Sequence, residues 1–206
     1  MAKKKYYAVK TGKTRGIFLT WEDCRLSVDG YPGAEYKSFS TEEEAQSYLN
    51  GAKEYPPDHL PGQAVAYVDG SFDIKIGRYS FGCILITPEG EIIEHSGSGD
   101  NPDSLALRNV TGEMLGAMFA VQWCIKKEYS AVDIRYDYSG IEMWATGKWK
   151  AKNELTQKYA AYMQRNGSRL QISFTKIAAH TGDYYNELAD KLAKKALTEG
   201  NGIPKI

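Results

Sequence analysis

The stretch AVAYVDGSFD, residues 64–73, alternates in period two until Asp69-Gly70-Ser71 breaks the pattern. That alternation predicts a half-buried β-strand, with a carboxylate near its middle. An ionised side chain there is costly unless positive charge stands beside it. Outward from this point, RYSFGCILIT (78–87) and GEIIEHSGS (90–98) read as two more strands. The Pro88-Glu89-Gly90 turn makes those two antiparallel.

After the polar stretch GDNPDSLALRNV, TGEMLGAMFAVQWCIKKE (111–128) has the spacing of a long helix. Its small residues Gly116, Ala117 and Ala120 share a side with Glu113. AVDIRYD (131–137) reads as a strand, GIEMWATG and NELTQKYAAYMQRNG as helices, LQISFTKIA as a strand, and YYNELADKLAKKALTEG as a terminal helix. Antiparallel strands followed by alternating helix and strand imply an α/β fold, a mixed sheet with helices on its faces.

Upstream, GAKEYPPDHLPGQ (51–63) holds three prolines and two glycines, which reads as a stiff linker. The chain therefore divides into a front module over 1–51, a linker over 52–63 and a main module over 64–200. In the front module YYAVKTG, GIFLTW and YKSFS are strand-like, and TEEEAQSYLNG is a helix capped by Ser40 or Thr41 with acids in its first turn. The 206 residues have ordinary globular composition, 42% hydrophobic and 25% charged. No apolar run reaches the roughly 20 residues that span a bilayer. MAKKKYYAVK lacks the apolar stretch of a signal peptide. Cys24, Cys83 and Cys124 are far apart, without metal-binding spacing, as expected of reduced thiols in a cytoplasmic protein. Residues 1–53 carry nine Lys/Arg against seven Asp/Glu, and the remainder 17 against 19. A mildly basic front end is weak evidence for a nucleic-acid partner.

Four acids stand where amphipathic design would not put them. Asp69 interrupts a strand, Glu113 opens the long helix, Asp137 ends a strand, and Asp190 lies on the terminal helix near Asn186 and Glu187. Taken singly each reads equally as a solvated acid or a cap, and NELADKLAKK fits an exposed helix face. Taken together, strand ends and helix starts can converge at the carboxyl edge of a sheet. Carboxylates so crowded repel one another. Two divalent cations about 3.5–4 Å apart relieve that repulsion in phosphoryl-transfer sites. Oxygen-only ligands suit Mg²⁺, with Mn²⁺ as a substitute, rather than zinc.

YVDGS, TGEMLGA, YDYSGI and AAHTGDYYNELADKLA, in that order, resemble the type 1 ribonuclease H family over residues 64 to about 199. The resemblance implies a ribonuclease H-like, mixed five-stranded sheet flanked by helices. It implies metal ligands at Asp69, Glu113, Asp137 and Asp190, and a role for His180 in proton transfer and product departure. His59 and His95 lack such context and read as structural. Residues 5 to about 50 resemble the small α+β hybrid-binding domain that precedes many members. There Trp21, Tyr36 and Lys37, with Tyr7 and Lys10 nearby, would form an aromatic platform beside cations that neutralise phosphates. Departures accompany the match: Ser38 stands where a second lysine is common, Val110 follows Asn109 where a second asparagine is common, and GKWKAKNE is short beside the basic extra helix of some relatives. Trp149 is a candidate for the DNA strand, whereas Trp144 reads as core.

The reaction so implied is hydrolysis of RNA within an RNA–DNA hybrid, with one ion readying water, the other stabilising the leaving oxygen, and 5′-phosphate and 3′-hydroxyl products. The 2′-OH would serve for recognition, with Ser71, Asn109 and Ser139 as candidate sugar contacts and Asn186 as a further nucleic-acid-binding candidate. No membrane and no obligatory protein partner is implied. Two alternatives stay open on the same fold: a DNA-directed polynucleotidyl transferase, and a hybrid-binding protein without catalysis.

Overall fold

The computed structural model describes residues 5–49, 62–178, 183–199 and 202–203, without the side chains of 43, 44 and 47. The chain separates into two compact units, Met1–Asp58 and His59–Ile206. Of the expected linker, residues 52–61 lie outside the described residues.

The first unit is a small sheet of β1 (Tyr6–Thr11), β2 (Gly16–Phe18) and β3 (Glu35–Phe39), in the order β2-β1-β3 and antiparallel throughout, with α1 (Trp21–Val28) and α2 (Glu42–Leu49). Alternation along β1 sends successive side chains to opposite faces. Ala8 packs with Phe39, Ala45 and Leu49, and its neighbour Val9 packs with Cys24 and Val28 of α1. Thr20 caps α1 by accepting the Asp23 N–H at 3.2 Å. Glu22 and Asp23 lie in its first turn, where the helix dipole favours anions.

The second unit contains β4 (Gln63–Asp73), β5 (Arg78–Ile86), β6 (Ile92–Gly99), α3 (Pro102–Leu105), α4 (Asn109–Lys126), β7 (Ala131–Tyr136), α5 (Gly140–Ala145), α6 (Glu154–Asn166), β8 (Gln171–Lys176) and α7 (Tyr184–Glu199). Its five strands lie in the order β6-β5-β4-β7-β8. The β4–β5 and β5–β6 pairs are antiparallel, and β4–β7 and β7–β8 are parallel. This is the mixed sheet expected from the sequence.

Two cores follow from the pleat. Ala64, Ala66 and Val68 of β4 face Met114, Ala117, Ala120 and Val121 of α4. Val65 and Tyr67 face Tyr185 and Ala189 of α7. Fully buried side chains such as Phe81, Ile134 and Ile141 each contribute about 1.5–3 kcal/mol of burial. Two glycines let the helices approach closely. A Cβ at Gly70 would overlap the Asn109 carbonyl and lie 2.6 Å from the Glu113 nitrogen. One at Gly82 would overlap the Ala189 carbonyl and lie 2.8 Å from the Ala193 nitrogen. The absence of side chains at these two points seats α4 and α7 directly on the strands.

Helix α4 begins at Asn109, two residues before the expected start. Thr111 spends its hydroxyl on the Ser104 carbonyl at 2.6 Å, and the turn is made by Arg108 at φ 53°. Among the described residues no helix is long and apolar enough to cross a membrane. Cys24, Cys83 and Cys124 are free and buried. His95 packs its ring 4.5 Å from that of Phe119, a structural position.

Candidate active site

Strand register brings the first two acids together. Tyr67 of β4 is the parallel partner of Arg135 of β7. Carried two residues further, that register sets Asp69 beside Asp137, which directly follows β7, at one edge of the sheet. Neighbouring strands are about 4.8 Å apart, so two carboxylates on one face at this level interact strongly. The two glycine contacts supply the other pair. Gly70 admits the start of α4 and with it Glu113, while Gly82, opposite Asp69 in the antiparallel ladder, admits α7 next to Asp190.

The electrostatics record this convergence. Burial, then the charge of Asp137 and more weakly that of Asp190, push the Asp69 carboxyl up to about 7, against an opposing hydrogen bond from the Gly70 N–H at 2.6 Å. Burial, then Asp137 and Asp69, push Glu113 up to about 9, although the Tyr138 backbone N–H hydrogen-bonds it. The Oε2 of Glu113 is buried without a hydrogen-bond partner among the described residues. Lys194, one turn after Asp190, donates to Asp190 Oδ2 at 2.7 Å and also draws the Asp69 value down.

Among the described residues no three His, Cys, Asp or Glu side chains are grouped closely enough to hold a metal ion. The donor set still fits a hard divalent cation: it is all oxygen, its members repel, and one buried carboxylate oxygen lacks any partner. His180 and His59 lie outside the described residues.

The nucleic-acid candidates are scattered more widely. In the first unit the rings of Tyr7 and Trp21, and of Trp21 and Tyr36, are each 5.8 Å apart, with Trp21 40% and Tyr36 45% exposed. Lys10 and Lys37 do not join them. In the ladder, Lys37 is paired with Ala8 and Tyr36 with Val9, so period-two alternation puts the lysines on the α2 face and the aromatics on the α1 face. Lys10 instead stands 5.7 Å from the Tyr48 ring and Lys37 5.3 Å from the Phe39 ring. The two lysines and the aromatic rings thus lie on opposite faces of the small sheet.

In the second unit Asn109 is exposed at the start of α4 and Ser71 is half-buried on β4. Ser139 accepts from Lys176 Nζ at 2.7 Å. Asn186 is buried rather than presented to solvent, and its Oδ1 lacks a partner among the described residues. Trp149 is 45% exposed and shares a cavity with Trp144, Lys148, Lys150 and Lys152, in the irregular segment between α5 and α6. Trp144 packs partly against the main core, as its sequence reading has it.

Sequence reasoning passed over Lys194 and the buried Asp133–Arg135 pair. Charges at alternate positions of AVDIRYD, in phase with Asp137, were the available signal for the pair.

This sheet order with its flanking helices is a ribonuclease H-like fold. RNase H1 from the halophilic archaeon Halobacterium salinarum NRC-1 matches it with a TM-score of 0.56 at 21% identity, over 67% of this chain and 99% of that one. LC11-RNase H1 in complex with an RNA/DNA hybrid matches with a TM-score of 0.51 at 18% identity, over 65% of this chain and 99% of that one. In sequence, residues 5–49 match the Ribonuclease H1 N-terminal domain and residues 61–198 match RNase H. Human ribonuclease H1 is 48% identical over 92% of this chain and 88% of its own length. The chain belongs to the ribonuclease H family. Its matches to the rat and mouse ribonucleases H1 take in 21% of either protein.

Proposed function

We propose that this chain is an endoribonuclease that hydrolyses the RNA strand of RNA–DNA hybrids with two divalent cations, leaving 5′-phosphate and 3′-hydroxyl ends. One observation carries the reading: Asp69 on β4, Glu113 on α4, Asp137 just after β7 and Asp190 on α7 converge, the charges of Asp137 and Asp190 bearing on Asp69 and those of Asp137 and Asp69 on Glu113. A protein gains nothing in stability from such mutual repulsion, so the cluster is built to receive positive charge.

Asp69, Asp137, Glu113 and Asp190 would hold Mg²⁺, with Mn²⁺ as substitute. Bound there, the ions supply charge neutralisation and Lewis acidity for attack of water on phosphorus. The chain's own share is orientation. Gly70 N–H fixes one Asp69 oxygen, Tyr138 N–H fixes Glu113, and Lys194 holds Asp190. Asn109, exposed at the start of α4, would contact the sugar face of the RNA strand, where the 2′-OH separates RNA from DNA. His180 is assigned to proton transfer during product departure on the family resemblance alone. The first unit adds hybrid affinity through the exposed rings of Trp21 and Tyr36, and tethering it to the nuclease raises the local substrate concentration.

The test is hydrolysis of an end-labelled hybrid by the full chain, in Mg²⁺ and in EDTA. Internal cuts in the RNA strand that require the metal are expected. Binding without cutting would select a non-catalytic hybrid-binding protein, and preference for branched DNA would select a polynucleotidyl transferase.

A further inference from the structure

Behind the acids, on the same face of the sheet, lies a buried polar cluster that the proposed reaction leaves unused. Arg135 Nε donates to Asp133 Oδ2 at 3.1 Å, and Arg135 Nη1 donates to the Tyr67 hydroxyl at 3.0 Å. The hydroxyls of Ser173 and Thr175 on β8 donate to Asp133 Oδ1 at 3.1 and 3.0 Å. Gln63 Nε2 in turn donates to Ser173 Oγ at 2.9 Å. The Arg135 and Asp133 side chains are 7% and 8% exposed.

A buried ion pair is poor material for cohesion, because the cost of removing two charges from water rivals their attraction. The rest of this face shows the cheaper solution, with Val65, Ile84, Ile86, Tyr185 and Ala189 packed together. What distinguishes the charged cluster is its position. Tyr67 and Arg135 are register partners on the two strands that carry Asp69 and Asp137, and each precedes its acid by two residues, one pleat repeat on the same face. The hydroxyl–guanidinium bond therefore joins the side chains of β4 and β7 immediately behind the acids. The Asp133 carboxylate extends the tie to β8. A guanidinium suits the task because its donors leave at fixed angles, which an ammonium cannot reproduce.

We propose that Arg135, clamped between Asp133 and Tyr67, is a positioning residue that locks the carboxyl ends of β4 and β7 in register and so sets the spacing of Asp69 and Asp137 as paired oxygen ligands for a divalent cation. The inference rests on the metal-site reading given above. Arg135 touches neither substrate nor ion; it acts through the strands.

The experiment titrates Mn²⁺ calorimetrically into the full chain without nucleic acid, for the wild type, Tyr67→Phe, Arg135→Lys and Ile84→Val. Tyr67→Phe deletes one hydroxyl and keeps the ring, which lies 5.3 Å from that of Tyr185. Ile84→Val loosens the same face beside the Tyr67 ring and leaves every hydrogen bond of the cluster in place. Tyr67→Phe and Arg135→Lys should each weaken Mn²⁺ binding by about tenfold, the low end of what partners behind metal ligands are worth. Ile84→Val should lower the thermal midpoint and leave Mn²⁺ affinity unchanged. With hybrid substrate, the two cluster variants should lose kcat while keeping KM. Wild-type Mn²⁺ affinity in Tyr67→Phe would overturn the proposal, and so would equal weakening in Ile84→Val, which would make the effect one of general loosening. A wild-type chain that takes up no Mn²⁺ would overturn the metal-site reading itself, and this inference with it.

Discussion

Gly82 of β5 sits against the backbone of Ala189 in α7 so closely that a methyl group there would collide with the Ala189 carbonyl. Since Gly82 pairs with Asp69 and Ala189 precedes Asp190, this one contact governs how near two of the acids come. Gly82→Ala should displace α7, destabilise the chain by about 1–3 kcal/mol as overpacked substitutions do, and cut hydrolysis more than the stability loss alone explains. Thermal melts beside hybrid cleavage at a temperature where the variant stays folded would check this. Wild-type turnover in a folded Gly82→Ala variant would contradict it.

The pH dependence of stability follows from the raised carboxyls. Asp69 at about 7 and Glu113 at about 9 bind protons in the folded chain that the unfolded chain has already released above roughly pH 4–4.5. Where the folded state holds more protons, stability falls as pH rises. The metal-free chain should therefore be most favoured by these groups below about pH 4 and lose that contribution through pH 7 and on toward 9. Mg²⁺ binds the ionised form, so the gain in thermal midpoint on adding Mg²⁺ should grow over the same range. Melts in EDTA and in Mg²⁺ across this range test the sign.

Neutralising either acid of the β4–β7 pair should separate catalysis from folding. Asp69→Asn and Asp137→Asn are expected to reduce cleavage to background, keep hybrid binding, and melt higher than wild type in EDTA, because a source of repulsion is gone. Both should lose the Mg²⁺-dependent rise in midpoint. Cleavage at the wild-type rate by either variant would refute the assignment.

Lys194 is a cation paired with one of the four acids. Its ion pair with Asp190 joins side chains 62% and 32% exposed, and such surface pairs contribute at most about 1 kcal/mol. Lys194→Gln should accordingly lower the midpoint slightly in EDTA and by less in Mg²⁺, where the ion takes over the role. Equal losses in both conditions would show that Lys194 acts elsewhere.

For the first unit, Trp21→Ala and Tyr36→Ala should weaken hybrid binding by about tenfold each, since a stacked base is worth about 1–3 kcal/mol. Lys37→Ala should matter less, because that side chain lies on the other face of the small sheet. Deleting residues 1–53 should leave a nuclease that binds hybrid more weakly and cuts fewer times per encounter. Fluorescence anisotropy with labelled hybrid measures all four.

Much of the architecture was legible along the chain because it is written in local periodicities. The alternation in 64–73 and the Pro88-Glu89-Gly90 turn sufficed for the β4–β5–β6 meander, and TGEMLGAMFAVQWCIKKE for the body of α4. Helix α1 was harder to see: Leu26, 73% exposed, stands among its residues and blurs the apolar stripe made by Cys24 and Val28. Short α3 carries too few residues for any period to register.

The sequence by itself determined the order of strands and helices and singled out Asp69, Glu113, Asp137 and Asp190, since a carboxylate inside an apolar pattern is visible without coordinates. The tertiary structure decided everything that depends on distance between elements. It set Asp69 beside Asp137 through the parallel register, brought Glu113 and Asp190 in through Gly70 and Gly82, added Lys194 to the cluster and parted Lys37 from Trp21. Charge interaction and steric contact act through space, and a linear chain specifies which groups exist long before it specifies which of them meet.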